Sequence, residues 1–184
     1  MKVLAGMQWA ADNLADDVLY STADDDMSVD VLKLQEEIEK AKARTTINKW
    51  PEFPIVCSYD MWKKLGVPQR NTVHKNFVPK QKYRWTKWPK FCLGGMYTTS
   101  VRVIKQLYEI SRTKDMINTD DVWITGILRN ILGMPDEMLI KVRPVVAKHL
   151  ADYYVKNPDK TKLRVLTLWK QCLKGYESQN WCTC

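Results

Sequence analysis

The order of its periodic segments predicts an α/β fold for this sequence. Two observations carry that reading: segments with helical spacing of apolar residues alternate with short strand-like runs, and an acidic triplet stands directly after one of those runs. Val3, Met7, Ala10 and Leu14 recur at helical spacing, so residues 2–14 form an amphipathic helix that Asp16 and Asp17 interrupt. Val18–Ala23 then reads as a short buried strand leading into Asp24, Asp25 and Asp26. Open α/β sheets place their ligands at the carboxyl ends of strands, which raises this triplet above a chance acidic run.

A second helix follows, with Val31, Leu34 and Ile38 inward and Glu36, Glu37, Glu39 and Lys40 outward. Ile55–Cys57 reads as another strand. Residues 58–90 are polar, interrupted by proline and without periodicity, and a loop of that length inside a domain is usually functional. Phe91–Thr99 is strand-like and contains Gly94 and Gly95, a pair that permits close approach of a ligand or another backbone. Ser100 is placed to cap a helix over Val101–Ser111, with Val101, Ile104, Leu107 and Tyr108 on one face. A further helix begins near Asp120, carries Val122, Ile124, Leu128 and Ile131, and ends at Gly133 and Pro135. A strand at Leu139–Val142 and a final helix near Lys162–Leu173 complete the reading, with no internal repeat and no second domain.

The 184 residues suffice for one hydrophobic core, and 45% hydrophobic with 27% charged residues is ordinary for a globular chain. A net charge of +8 suits an anionic partner: a nucleotide diphosphate, an acidic glycan, an anionic membrane or nucleic acid. The Lys and Arg residues are scattered, and the densest group, Lys75 to Lys90, is interleaved with aromatics. It reads first as a sugar- or phosphate-facing loop and second as a solvated surface. No apolar run approaches the roughly 20 residues that span a bilayer, and the start of the chain has no secretion-signal pattern. The five cysteines form no zinc-type pair, and their odd number leaves at least one without an intrachain partner.

Three adjacent carboxylates repel one another unless a cation neutralises them, and Mg²⁺ or Mn²⁺ prefers such oxygen ligands while also binding phosphates. The triplet is therefore a metal clamp on a diphosphate or a solvated turn. Asp120 and Asp121 open a helix, where a carboxylate serves either as general base or as a simple N-cap. His74 reads as a surface residue, and His149 follows the Leu139–Val142 strand. The sequence lacks a Walker-type glycine loop, an HExxH pair and a GxSxG elbow, which argues against P-loop hydrolysis, zinc proteolysis and serine hydrolysis.

Four segments in order resemble the β-1,3-galactosyltransferase and β-1,3-N-acetylglucosaminyltransferase family, with its Fringe-like relatives. They are VLAGMQWAADNLADDVLYSTADDD, GVPQRNTVHKNFVP, WPKFCLGGMYTTSVRVIKQLYEIS and TDDVWITGILRNILGMP, spanning roughly residues 2–140. The resemblance implies a GT-A-type nucleotide-sugar-binding α/β fold with a mixed sheet. It implies one partial catalytic domain over residues 1–184, with the motifs in 2–140 and a carboxyl-terminal extension over 141–184. The implied reaction is inverting transfer of galactose or an N-acetylhexosamine from a UDP-sugar to a hydroxyl of a glycoprotein or glycolipid glycan.

The same resemblance assigns roles residue by residue. Asp26 becomes the direct ligand to Mn²⁺ (or Mg²⁺), with Asp24 and Asp25 at the ribose or in the metal shell. His149 stands where some relatives complete that shell. Asp121 matches the catalytic base, Asp120 its acidic neighbour, and Gly94 and Gly95 the floor where donor and acceptor meet. A Golgi location and a membrane anchor are expected of a longer form, because family enzymes carry an anchor, a stem and a first nucleotide-binding segment before the triplet. Nucleic acid is not an expected partner; an inactive binding remnant and a basic polyanion-binding module are the alternatives. Two departures stand out: Tyr59–Lys64 differ from common members, and DDVWITG carries one residue more between acidic pair and glycine than the family spacing.

Overall fold

The computed structural model describes residues 2–24, 27–47, 53–59, 66–141 and 147–149; Asp25, Asp26 and the helix expected at Lys162–Leu173 lie outside them. The described elements are α1 (Lys2–Asn13), β1 (Leu19–Ala23), β2 (Met27–Val29), α2 (Val31–Ile47), β3 (Ile55–Tyr59), β4 (Leu93–Ser100) and α3 (Val101–Ser111). A π-helix (Val122–Leu128) runs into α4 (Arg129–Leu132), and a 3₁₀ turn at Asp136–Met138 leads to β5 (Leu139–Lys141) and β6 (Ala147–His149). The main sheet has strand order β1-β4-β3-β5, antiparallel except for the parallel β3–β5 pair. The chain is thus α/β with a mixed sheet.

Period-two alternation assigns the strand residues to two layers. Ile55, Cys57 and Tyr97 point into a core built with α1, α3 and the π-helix, through Met7, Ala10, Ile104, Leu107, Val122 and Ile124. Val56 and Met96 point the other way, onto Leu34, Ile38 and Ala41 of α2. The sheet therefore lies between α2 and the remaining helices. Residues 34, 38 and 41 are one, two turns apart on a single stripe, which is why α2 docks through them. Val31, expected inward, is 63% exposed, because it precedes that stripe in the first turn. β1 is also less buried than expected: among the described residues it has no neighbour on its far side, and its residues alternate between exposed and half-buried.

The junction of β1 with α3 satisfies the helix start. The Val101 and Arg102 amides donate to the Val18 and Asp16 carbonyls at 2.8 and 3.1 Å, and Ser100 Oγ accepts from the Val103 amide. Lys105 Nζ reaches Asp16 Oδ1 at 2.7 Å and, with Arg102, holds the Asp16 carboxyl below its ordinary range. A disulfide between Cys57 and Cys92 joins β3 to the lead-in of β4 across 35 residues of sequence. Cysteine number alone left this pairing open. The enclosed segment contains the long loop, whose described part folds around Arg70. That guanidinium donates to the Val78, Tyr83 and Trp85 carbonyls at 2.5–3.0 Å, so a polar segment without periodicity is organised by one side chain.

The second sheet was not foreseen. β2 and β6 pair antiparallel, with Met27 opposite His149, and three-residue strands carry too little pattern to read in advance. No described helix is long and apolar enough to cross a membrane.

Closing a loop of this length removes unfolded-chain entropy worth about 3–4 kcal/mol. A Cys57→Ala/Cys92→Ala variant is expected to lose about that much stability in urea unfolding, while the wild type under reducing conditions moves to the same midpoint. A midpoint unchanged by both treatments would show that the cross-link adds nothing.

Candidate functional site

The site begins where β1 ends. Backbone pairing continues one residue beyond the strand, with the Asp24 amide donating to the Gly95 carbonyl at 2.7 Å. Gly95 has φ +113°, a region that side chains rarely enter. Its neighbours explain the need. Cys57 pairs with Tyr97 but Tyr59 pairs with Leu93, so β4 bulges at Gly94 and Gly95. The bulge turns the Gly95 carbonyl toward the β1 side and brings Asp24 against the sheet end. Gly94 shares the bulge.

The second half of the site comes from the helix that starts at Asp121. Its Oδ1 accepts from the Val122 amide at 2.7 Å, while Asp120 Oδ1 accepts from the Asp121 amide at 3.1 Å. The following seven residues are π-helical, although helical spacing predicts an α-helix there. The motif DDVWITG runs through the start of this widened stretch. Gly126 is pressed against the chain entering β4: an added Cβ would stand 3.1 Å from both Phe91 Cβ and Pro89 Cγ.

Thr125 and Arg129 fix that contact by hydrogen bonds. The wholly buried Thr125 hydroxyl accepts from the Cys92 amide at 2.9 Å and donates to the Asp121 carbonyl at 2.7 Å. Arg129, also fully buried, donates to the Thr125, Met134 and Lys90 carbonyls and pairs with Asp136 at 2.6 Å. Burial pulls its guanidinium pKa down and the Asp136 carboxylate opposes this. Ile131, expected inward, is 47% exposed, because the widened turns shift the face that α4 presents. α4 ends at Gly133.

Asp24, Gly95, Asp120 and Asp121 thus converge on one small cavity of about 60 Å³ at the sheet end. Tyr97 and Thr22, cross-strand partners in β4 and β1, form its wall. Both hydroxyls are buried and make no hydrogen bond of ordinary geometry among the described residues. Burial raises the Tyr97 phenol pKa far above its usual value; the neighbouring Thr22 hydroxyl opposes the rise, and Tyr20, Asp120 and Asp121 add to it by smaller amounts. A phenol kept neutral beside carboxylates is a hydrogen-bond donor aimed at the cavity. Sequence reasoning missed Tyr97 and Thr22, although alternation along β4 and β1 carries the signal.

Asp25 and Asp26 continue the chain from the cavity but lie outside the described residues. His149 occupies β6, whose pairing with β2 places its Cα opposite that of Met27, the residue after the triplet. Among the described residues no group of three His, Cys, Asp or Glu side chains gathers tightly enough to hold a metal ion. Asp24 and the Asp120–Asp121 pair line one cavity with the Thr22 and Tyr97 hydroxyls, an oxygen-only set of the kind hard cations take, but these three carboxylates are not by themselves gathered closely enough to hold one. His74 is exposed, its Nδ1 accepting from the Asn76 amide at 3.0 Å.

A family model described as Galactosyltransferase matches residues 1–139. The chain belongs to that family. Among curated relatives, it is 28% identical over 145 residues to beta-1,3-galactosyltransferase 5 of Mus musculus, covering 77% of this chain and 42% of that protein. It is 30% identical over 129 residues to beta-1,3-galactosyltransferase 5 of Homo sapiens, covering 67% and 37%. A shorter match of 34% over 68 residues, 37% of this chain and 18% of the relative, joins it to human N-acetyllactosaminide beta-1,3-N-acetylglucosaminyltransferase 4. The chain spans about two fifths of the length of the two galactosyltransferases. All of the described cavity residues lie within the family match.

Two outcomes test the site's construction. In the unfolded chain Tyr97 ionises near pH 10, whereas the folded protein keeps it protonated. Its contribution to stability is therefore complete below pH 10 and falls as pH rises toward the folded pKa. Tyr97→Phe should flatten the alkaline part of the stability–pH curve and leave neutral-pH stability within about 1 kcal/mol. Thr125→Val removes the acceptor of the Cys92 amide and one bond to the Asp121 carbonyl and should cost about 1–3 kcal/mol in denaturant unfolding, with Thr125→Ser restoring most of it.

Proposed function

We propose that this chain forms the metal- and donor-binding part of an inverting β-1,3-hexosyltransferase. Its fold is GT-A type and its 184 residues are one partial catalytic domain. It transfers galactose, or an N-acetylhexosamine, from a UDP-sugar to a hydroxyl of a glycoprotein or glycolipid glycan, and its longer form works in the Golgi lumen on a membrane anchor. The observation that supports this most is the convergence of Asp24, Gly95, Asp120 and Asp121 on one cavity within the family-matched residues.

Asp26, Asp24 and His149 would hold Mn²⁺ (or Mg²⁺), which when bound supplies Lewis-acid neutralisation of charge on the departing UDP. Asp121 accepts the proton of the acceptor hydroxyl as that oxygen attacks the anomeric carbon from the face opposite UDP. Its Oδ1 bond to the Val122 amide and the Thr125 bond to its carbonyl fix the carboxylate's position at the helix start. Preorganisation of this kind supplies much of the acceleration when two substrates must meet in line. Asp25 sits at the ribose and Asp120 at the donor sugar. The bulge at Gly94 and Gly95 leaves a floor without side chains, on which sugar and acceptor approach closely.

Asp121→Asn is expected to lower UDP release from UDP-galactose with Mn²⁺ and a glycan acceptor by about 10²–10⁴-fold, with metal-dependent UDP binding retained. Normal turnover by the variant would remove Asp121 from the role of base. UDP binding by the wild-type chain without acceptor-dependent release would return the chain to a non-catalytic binding remnant.

A further inference from the structure

A larger cavity lies on the other side of the π-helix from the carboxylates. It encloses about 740 Å³ between the loop that enters β4 and the helix face carrying Trp123 and Ile127. Asp121 and Ile124 face the small cavity, whereas Trp123 and Ile127 face this one, so the two openings are separated by the helix itself. The volume falls within the range of small-molecule sites, several hundred Å³.

Its walls combine two chemistries. Tyr83, Trp85 and Trp88 form an aromatic cluster, with Tyr83 contacting Trp85 at 5.1 Å and Trp88 at 4.5 Å between ring centroids. Trp85 is 59% exposed, and the Arg84 guanidinium lies 5.2 Å from its ring centroid. Lys82, Lys87 and Lys114 line the same space against one carboxylate, Asp115. The loop is held before any ligand arrives: Tyr83 Oη donates to the Lys87 carbonyl at 2.7 Å, and Arg70 holds the Tyr83 and Trp85 carbonyls. Lys82 Nζ bonds the Met116 carbonyl at 3.4 Å, joining the two walls.

The geometry points to a second binding site here, one for an acidic saccharide carrying carboxylate or sulfate groups. An exposed indole such as that of Trp85 packs against the C–H face of a pyranose ring, and three ammonium groups against one carboxylate favour an anion. Tyr83 is tilted by 53° to Trp85 and by 46° to Trp88, so it forms no parallel slot with either ring. A neutral sugar would not use the excess positive charge left after Asp115. The site stands apart from the transfer reaction and can be measured as binding alone, whether or not Asp121 acts as a base.

The test is titration of the full 184-residue chain with sialyllactose, a heparin-derived tetrasaccharide, lactose, UDP and a short single-stranded oligonucleotide. Calorimetry and tryptophan fluorescence are the readouts. One or both acidic saccharides should bind saturably, which also distinguishes carboxylate from sulfate as the recognised group, and lactose should bind at least about tenfold more weakly. Trp85→Ala and Lys87→Gln/Lys114→Gln should each weaken acidic-saccharide binding about tenfold or more, whereas Lys33→Gln, on α2, should not. These are exposed positions, and the lysine pair serves as the second variant should Trp85→Ala shift the melting temperature. Absence of saturable binding, equal affinity for lactose, equal loss in Lys33→Gln, or tighter UDP or oligonucleotide binding with the same variant sensitivity would each overturn the assignment.

Discussion

The contact between the π-helix and the chain entering β4 is the constraint on which the site depends. Asp120 and Asp121 sit at a helix start, which by itself has no fixed position relative to β1. Gly126 lets the helix approach Phe91 and Pro89 to van der Waals distance, and Thr125 bridges the Cys92 amide to the Asp121 carbonyl. Cys92 is in turn tied to β3 by its disulfide, and β3 to β4 by the ladder. A continuous run of short bonds therefore carries the carboxylate pair to the sheet end where Asp24 lies. Arg129 closes the run from below by donating to the Thr125, Met134 and Lys90 carbonyls.

The π-helical turns sharpen this point. An α-helix advances about 100° per residue, so the same residues wound as α-helix would present Gly126 and Asp121 at a different relative angle. With the wider turns Gly126 meets Phe91 while Asp121 lines the cavity. The expense is local: the widened ladder packs less regularly, and the Thr125 hydroxyl supplies an additional bond to the Asp121 carbonyl where the backbone pattern changes.

Much of the fold was legible in the sequence for a simple reason. α1, α2 and α3 each carry several apolar residues at helical spacing, and Ser100 announces the start of α3 with a side chain suited to the task. The family was legible too, because four ordered segments survive at modest identity. Elements whose shape is set by tertiary contacts were not. The π-helix has the apolar pattern of an α-helix, and the three-residue strands β2 and β6 have too few positions to show alternation. The Cys57–Cys92 pair depends on which chain segments meet, which spacing does not reveal. The site was legible as residues: Asp24, Gly95, Asp120 and Asp121 were singled out individually, and the structure brings them to one cavity. The roles of Tyr97 and Thr22 were not, since a strand tyrosine reads as core until its hydroxyl is found without a partner.

Charge is distributed in a way that ties the site to the rest of the surface. The chain carries a net +8, yet its small cavity is lined by Asp24, Asp120 and Asp121. Lys82, Lys87 and Lys114 line instead the larger cavity beyond the π-helix. An anionic ligand is therefore attracted over long range by the molecule as a whole and repelled at short range by the carboxylates. Tyr97, held neutral by burial and by those same carboxylates, offers a donor but no charge to relieve the repulsion. On the proposed reading, only a cation shared between triplet and diphosphate resolves the conflict, and that makes binding of the anion conditional on the metal. The acidic triplet then acts as a gate on the field: polyanions that cannot bring or share a divalent ion gain nothing at the small cavity and are left to the basic loop.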